Sequence, residues 1–170
     1  MSAGDMTWPD TLAPELAEFL DYWRLKRGNR ALPHRSDIEP TEIPHLLHGI
    51  CILEIGYADD DVDRVRFRLA GTDLFTMIGY EVTGRYVDEV MAPSAYVEVR
   101  KQFDNVIRTL QPAFRRFTWP HGPYPDVIYE RVMAPLGSEG GRPDYLIGMH
   151  TIASGREMLP MMAQGSVPLG

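Results

Sequence analysis

Cysteine is almost missing from this chain of 170 residues, which contains only Cys51. A single cysteine cannot form an intrachain disulfide, and this usage is typical of a reducing compartment. A basic excess is missing too, because 17 Lys and Arg stand against 24 Asp and Glu, a formal net charge of -7. That balance argues against nucleic acid or an anionic membrane as a partner bound through bulk charge.

Long apolar runs are also missing. No run approaches the roughly 18 residues that a membrane span needs. The first ten residues, MSAGDMTWPD, lack the basic and apolar regions of a secretory signal. We therefore expect a cytoplasmic protein.

With 44% hydrophobic and 24% charged residues, the chain can bury a core of ordinary size. Cys51 lies in the apolar run HGICILEIG and is predicted to be a small buried hydrophobe rather than a reactive thiol.

The N-terminal part predicts one helix and then a β-hairpin. Residues 13–27 are predicted to be helical because apolar side chains recur at helical spacing: Leu12, Leu16, Phe19, Leu20 and Trp23. The hairpin pairs the apolar run GICILEIGY with RVRFRLA. Strict alternation in the second strand places Val65, Phe67 and Leu69 on one face and three arginines on the other.

The C-terminal part predicts one long helix and three strands. Residues 94–110, SAYVEVRKQFDNVIRTL, present one apolar face at steps of three and four. The strand segments AFRRFTW, VIYERVMAP and DYLIGMHTI are rich in aromatic and β-branched residues. We expect an N-terminal tail over 1–11, a single domain over 12–152 and a C-terminal tail over 153–170. The element order predicts an α+β fold with one antiparallel sheet and helices on one face.

Three glycines punctuate residues 66–90, RFRLAGTDLFTMIGYEVTGRYVDEV. A phosphate-binding loop would need closely spaced glycines opening onto a helix. The gaps between Gly71, Gly79 and Gly84 are too wide for that. We expect Gly71 to end the second strand and Gly79 and Gly84 to end short helices.

The segment RLAGTDLFTMIGYEVTGRYVDEV after a β-hairpin resembles the PAS domain family. With LPHRSDIEP and IPHLLHGICILEI, the chain over residues 12–152 is similar to small bacterial PAS proteins of nearly one domain. The resemblance implies a five-stranded antiparallel sheet in the order 2-1-5-4-3, with helices that enclose a cleft. It also implies a sensory or signalling role through a small ligand, a cofactor or dimer contacts.

The resemblance leaves the cofactor unknown. Photoactive flavin domains of the family carry a cysteine on the short helix before the long one, and EVTGRYVDEVMAPS has none. Haem-binding members commonly use a histidine of the long helix, where this chain has none. The residues expected to line the cleft are mostly apolar: Phe67, Leu69, Phe75, Ile78, Tyr86, Met91, Phe103, Ile107, Phe117, Trp119, Tyr129, Met149 and His150.

Polar residues supply few other leads. His45 and His48 share a face of a short helix, but two ligands do not complete a metal site. His150 is predicted to face outward or to be satisfied in the core, with ligand contact as the alternative. Asp126 and Glu130 are expected to form a solvent-facing pair. The arginines of three strands would form a basic strip if those strands are neighbours: Arg64, Arg66, Arg68, Arg115, Arg116 and Arg131. We expect such a strip to be a solvated face paired with acids, with a docking surface for an acidic partner or an anionic ligand as the alternative.

Three functions stay open at this point. The first is a sensory module that binds an unidentified small molecule, forms a homodimer or caps its domain through the N-terminal helix, and acts on a separate signalling partner. The second is a small enzyme of the isomerase or dehydratase type, with Asp126, Tyr129 and His150 as acid or base. The third is a structural dimerisation domain with a filled core. No catalytic motif is present, and the first function is favoured.

Overall fold

A computed structural model describes residues 4–121, 124–138 and 141–154. The chain begins with a helix, passes through three 3-10 turns into a hairpin, and then runs through three helices into three strands. The helices are α1 (Pro14–Arg27), α2 (Thr72–Ile78), α3 (Val87–Val90) and α4 (Pro93–Thr109). The 3-10 turns are Arg35–Asp37, Pro40–Glu42 and Pro44–Gly49. The strands are β1 (Ile50–Ala58), β2 (Asp61–Ala70), β3 (Ala113–His121), β4 (Tyr124–Gly137) and β5 (Pro143–Ser154).

The five strands form one antiparallel sheet in the order β2-β1-β5-β4-β3. This confirms the predicted fold and strand order. The hairpin therefore lies at one edge of the sheet and β3 at the other. None of the described helices is long and apolar enough to cross a membrane.

Each face of the sheet carries its own apolar core. The inner face packs against α2, α3 and α4, and its core includes Phe67, Phe103, Phe117 and Tyr129. The outer face packs against α1 and the 3-10 turns. The sheet is thus the middle of three layers, because α1 covers the face that the other helices leave free.

The apolar stripe of α1 is buried inside the single chain. Leu16, Phe19 and Trp23 are almost fully buried against the outer face. The Trp23 indole Nε1–H donates a hydrogen bond of 2.9 Å to the Pro135 carbonyl of β4. Of the two roles expected for this stripe, the structure supports capping of the domain, and the stripe itself is not free for a dimer contact.

The helix α4 follows its predicted pattern. Pro93 lies in its first turn, and Leu110 ends it in a left-handed conformation with φ of 57°. Val99, Phe103 and Val106 are buried over the inner face. Gln102 lies among them and is fully buried, so the apolar face of α4 carries one amide into the core.

A β-bulge corrects one prediction for β2. The register pairs Ile52 with Leu69 and Leu53 with Phe67, so two steps on β2 match one step on β1. The extra residue, Arg68, shifts the alternation. Phe67 consequently faces the inner core, whereas Leu69 packs against the outer core. The expectation that both share one face is wrong.

Of the two predicted helix stops, Gly79 ends a helix, whereas Gly84 lies in a turn that follows no helix. Gly79 ends α2 with φ of 95°, a conformation that glycine adopts without steric cost. Gly84 has φ of 86° and donates its backbone N–H to the Phe67 carbonyl at 2.7 Å. The turn at Gly84 therefore brings residues 84–86 alongside the free edge of β2.

Candidate functional site

The candidate site is the inner face of the sheet together with the helices that cover it. Eight of the predicted lining residues lie there. Five of these are buried in the inner core: Phe67, Met91, Phe103, Phe117 and Tyr129. Three more are partly buried and pack against that core: Ile78, Ile107 and Trp119.

Four predicted lining residues lie elsewhere. Leu69 and Met149 belong to the outer core, Leu69 because of the bulge and Met149 because it precedes the inward-facing His150 on β5. Phe75 is 50% exposed on α2. The Tyr86 ring lies beside the sheet edge, where the Arg64 guanidinium carbon is 3.6 Å from its centre. These four expectations are wrong as statements about the cleft.

His150, the remaining predicted residue, belongs to a polar row that crosses the inner face. Arg115 on β3 pairs in register with Arg131 on β4, and Arg131 pairs with His150 on β5. Neighbouring positions on the same strands, such as Phe117 and Tyr129, are apolar or aromatic and belong to the inner core. All three polar residues are buried, with 1%, 4% and 3% of their surfaces exposed. The row therefore places three basic side chains where a structural core would hold apolar ones.

Gln102 of α4 joins this row from above. Its side-chain oxygen accepts hydrogen bonds from Arg131 Nε at 2.8 Å and from Arg131 Nη2 at 2.6 Å. Its side-chain nitrogen donates to the Ala113 carbonyl of β3 at 2.8 Å. The amide thus ties α4 to two strands and fixes the orientation of the Arg131 guanidinium.

Burial lowers the pKa of each side chain in the row, because it disfavours the protonated, charged form. Burial and the neighbouring Arg115 charge lower the pKa of Arg131 to about 9. Burial likewise lowers the pKa of Arg115, while Glu98 opposes that change. Burial and the Arg131 charge lower the pKa of His150 to about 3, so its imidazole is neutral at pH 7.

Several polar atoms of the row have no hydrogen-bond partner within the described chain. These are Nη1 and Nη2 of Arg115 and Nε2 of His150. The other ring nitrogen of His150, Nδ1, lies 3.3 Å from the Gly49 carbonyl and donates to it in the neutral ring. His150 is therefore buried but only half satisfied, which is neither the outward-facing nor the fully satisfied residue that the sequence suggested.

The basic strip does not form, because β2 and β3 are opposite edges of the sheet. Arg64 pairs with Asp88 and Glu89 of α3 at 2.9 Å. Arg66 pairs with Glu54 across the hairpin. These surface arginines have ordinary acidic partners, as most solvated charges do.

The neighbouring arginines of β3 point to opposite faces. Arg116 lies on the outer face, where its Nε donates to Glu130 at 2.9 Å. Glu130 is therefore a buried partner of an arginine, and the expected solvent-facing pair with Asp126 is wrong. Arg115 lies on the inner face, 5.2 Å from the centre of the Phe117 ring. The sequence did signal this, since Arg115 and Arg131 occupy the same strand phase as Phe117 and Tyr129.

The remaining polar leads do not converge. His45 contacts Glu18 at 2.8 Å and His48 contacts Asp73 at 2.6 Å, so the two histidines point to different acids. Within the described ranges, no group of three or more His, Cys, Asp or Glu is placed to hold a metal ion. Cys51 is fully buried on the inner face as predicted, and burial raises its pKa to about 11.

A surface hollow of about 840 Å³ lies between α4 and the turn that joins β1 to β2. Acidic and basic residues of both elements line it together, including Asp60, Asp61, Arg100 and Arg108. It includes only Ile107 of the predicted cleft residues. It is open to solvent, and none of the described residues that line it has an unpartnered buried group, so the inner face is the stronger site.

Comparison with known proteins agrees with the observed fold. A sequence profile described as a PAS domain matches residues 12–151. The PAS domain of Bordetella pertussis BvgS has 16% identity, covers 73% of this chain and 90% of its own, and superposes with a TM-score of 0.51. A Rhodobacter sphaeroides LOV protein has 11% identity, mutual coverage of 75% and 76%, and a TM-score of 0.47. No curated protein matches the chain. At 16% identity the BvgS structure shows only a shared fold, whereas the profile spans most of the sequence. The chain belongs to the PAS domain family.

Proposed function

We propose that this PAS domain is a sensory module that binds a small molecule at the inner face of its sheet and signals through a separate protein. The observation that carries the proposal is the polar row of Arg115, Arg131 and His150 beneath α4. Buried nitrogens without partners destabilise a folded chain, and in native proteins they commonly mark a functional site. A bound molecule would give those nitrogens partners.

The route from site to surface runs through α4 and the edge strand β3. Gln102 links Arg131 of the row to α4 and to the Ala113 carbonyl of β3. A ligand that moved the Arg131 guanidinium would therefore alter contacts of both elements. The opposite, exposed side of α4 carries charged residues such as Lys101 and Asp104, which suit contacts with a partner protein.

A homodimer is part of the proposal but uses another surface than the one first expected. The apolar stripe of α1 is buried, so a dimer contact through the N-terminal helix would involve its outer side, where Leu25 is 76% exposed.

We also propose that the protein is bacterial and cytoplasmic, in keeping with its similarity to small bacterial PAS proteins.

The proposed role is binding rather than catalysis. Asp126 is exposed near the start of β4, whereas Tyr129 and His150 are buried on the inner face. Neither ring nitrogen of His150 is hydrogen-bonded to a described carboxylate. The three residues that an isomerase or dehydratase would need are thus not gathered at one place.

Native mass spectrometry of protein purified from its own source tests the proposal. We expect a retained small molecule, released on denaturation and identified by its mass. The same chain purified from an unrelated host is the control, because a site-specific ligand should differ or be absent there. A preparation from the native source that is free of ligand as a dimer would favour a structural dimerisation domain. A ligand-free monomer would remove both the ligand and the dimer from the proposal.

A further inference from the structure

Two arginines lie side by side inside the protein, and neither has an acidic partner among the described residues. Arg115 is 1% exposed, and its Nη1 and Nη2 have no hydrogen-bond partner within the described residues. Arg131 is 4% exposed, and its hydrogen bonds go to the neutral side-chain oxygen of Gln102. An ionised group without a counter-charge is costly to bury, which makes this arrangement unusual for a structural core.

The two guanidinium groups share one aromatic wall. The two residues are direct partners in the β3–β4 register. Their guanidinium carbons lie 5.2 Å and 5.5 Å from the centre of the same Phe117 ring. The aromatic ring supports both cations through its face, but it supplies no negative charge. The geometry therefore concentrates two positive charges over one apolar surface.

The described acids do not neutralise this pair. Glu98 of α4 acts on the Arg115 charge from a distance and is bonded to Lys101 at 2.6 Å. Glu130 directly precedes Arg131 in the sequence, but its side chain faces the other side of the sheet and pairs with Arg116. No described carboxylate forms an ion pair with either inner arginine, so a bound anion would supply the counter-charge that the pair lacks.

We propose that Arg115 and Arg131 bind the carboxylate of a small organic acid whose apolar body lies among the aromatic side chains of the inner core. This proposal rests on the sensory function above and specifies its ligand class. Guanidinium groups bind planar carboxylates through paired N–H donors. The surrounding Phe103, Phe117 and Tyr129 side chains suit an apolar body better than the hydration shell of an inorganic anion.

Residues 4–5 of the N-terminal segment cover Arg115 at the β3 edge of the sheet. Asp5 and Arg116 exchange backbone hydrogen bonds of 2.9 Å and 2.8 Å, which attach this segment to β3. Gly4 lies so close to Arg115 that a methyl group there would overlap the guanidinium. The segment of Gly4 and Asp5 therefore covers the proposed anion site, which is the Arg115–Arg131 pair. A ligand that reaches Arg115 from this edge of the sheet would displace that segment.

Thermal unfolding of the full chain with defined anions tests the proposal. The probes are benzoate, octanoate and inorganic phosphate, with benzyl alcohol and octanol as uncharged controls, all at constant ionic strength. We expect at least one carboxylate to raise the melting temperature by about 4 °C or more at saturating concentration, and its uncharged analogue to have no such effect. Failure of every carboxylate would overturn the proposal, and an equal effect of phosphate would overturn the organic-acid class.

Two neighbouring arginines provide matched variants with opposite expectations. Arg115→Met removes an unpaired buried charge at similar volume, so it should raise the melting temperature of the ligand-free protein and abolish the carboxylate effect. Arg116→Met leaves Glu130 without its partner, so it should lower the melting temperature and retain the carboxylate effect. A decrease in both variants, with the carboxylate effect intact in both, would show that Arg115 is structural.

The sensory function and the anion site fail in different ways. A neutral molecule retained in native mass spectra, with equal affinity for the wild type and Arg115→Met, would leave the sensory function standing and refute the anion site. A carboxylate that binds the wild type but not Arg115→Met, without any ligand retained from the native source, would support the anion site and question the sensory role.

Discussion

The buried His150 should make the protein sensitive to mild acid. Its ring is surrounded by the sheet, with Arg131 as its register partner on β4 and the Gly49 carbonyl at Nδ1. Burial and the Arg131 charge lower its pKa from the ordinary 6.5 to about 3. A folded state that holds histidine neutral is stabilised above pH 6.5, and this stabilisation decreases as the pH falls, because the unfolded chain takes up a proton that the folded chain refuses.

The expected magnitude follows from the two pKa values. Between pH 7 and pH 5 the unfolded histidine becomes almost fully protonated, while the folded one stays neutral. Proton uptake by the unfolded state alone therefore lowers the free energy of unfolding by about 2 kcal/mol, or about thirtyfold in the unfolding constant. Comparison of the wild type with a variant that lacks this imidazole separates the effect of His150 from that of the other titratable groups.

Urea unfolding at pH 7 and pH 5 measures this loss. His150→Gln cannot be protonated, so its decrease between the two pH values should be smaller than that of the wild type by about 2 kcal/mol. His45→Gln is the control, because His45 is exposed and its pair with Glu18 contributes about 1 kcal/mol at most. Equal pH dependence of the wild type and His150→Gln would refute the reasoning.

Two further predictions concern the outer core and the buried thiol. Trp23→Phe removes the hydrogen bond to the buried Pro135 carbonyl and should lower the free energy of unfolding by about 2 kcal/mol in urea titrations. Leu25→Ala on the exposed side of α1 should change it by less than about 0.5 kcal/mol. Cys51 should resist iodoacetamide at pH 8 in the folded protein and react fully in urea, because burial raises its pKa to about 11. Labelling of the folded protein at the unfolded rate would contradict this.

The sheet and the long helix could be predicted because their signals are local and periodic. Alternation in RVRFRLA indicated a strand, and steps of three and four indicated α4. The strand order came from the resemblance to PAS domains and is confirmed by the register. The N-terminal helix was predicted as well, but its position on the outer face was not, because a stripe of apolar residues does not say which surface covers it.

Individual side chains at the site were harder to predict. Leu69 belongs to a faultless alternating pattern, yet the bulge at Arg68 turns it to the outer face. Bulges depend on pairing with the neighbouring strand and leave no mark in the alternation. Arg115 and Arg131 were predicted as part of a solvated strip, although their strand phase matches that of Phe117 and Tyr129. That interpretation rested on the charge of the two side chains. Their position in the strand alternation would have predicted that both arginines face the core.

The division of the core explains how the fold accommodates such a row. Among the described residues, the outer core, with Phe19, Trp23 and Phe114, contains no buried arginine and stabilises the sheet from one side. The inner face can therefore hold Arg115 and Arg131 at a cost in stability without losing the fold. Polar groups that destabilise the free protein are common at binding sites, where the ligand supplies the hydrogen bonds or the counter-charge that the free protein does not provide. A sheet with only one core would have less capacity to tolerate two buried charges without counter-charges, so the layer formed by α1 would support the proposed ligand site on the opposite face.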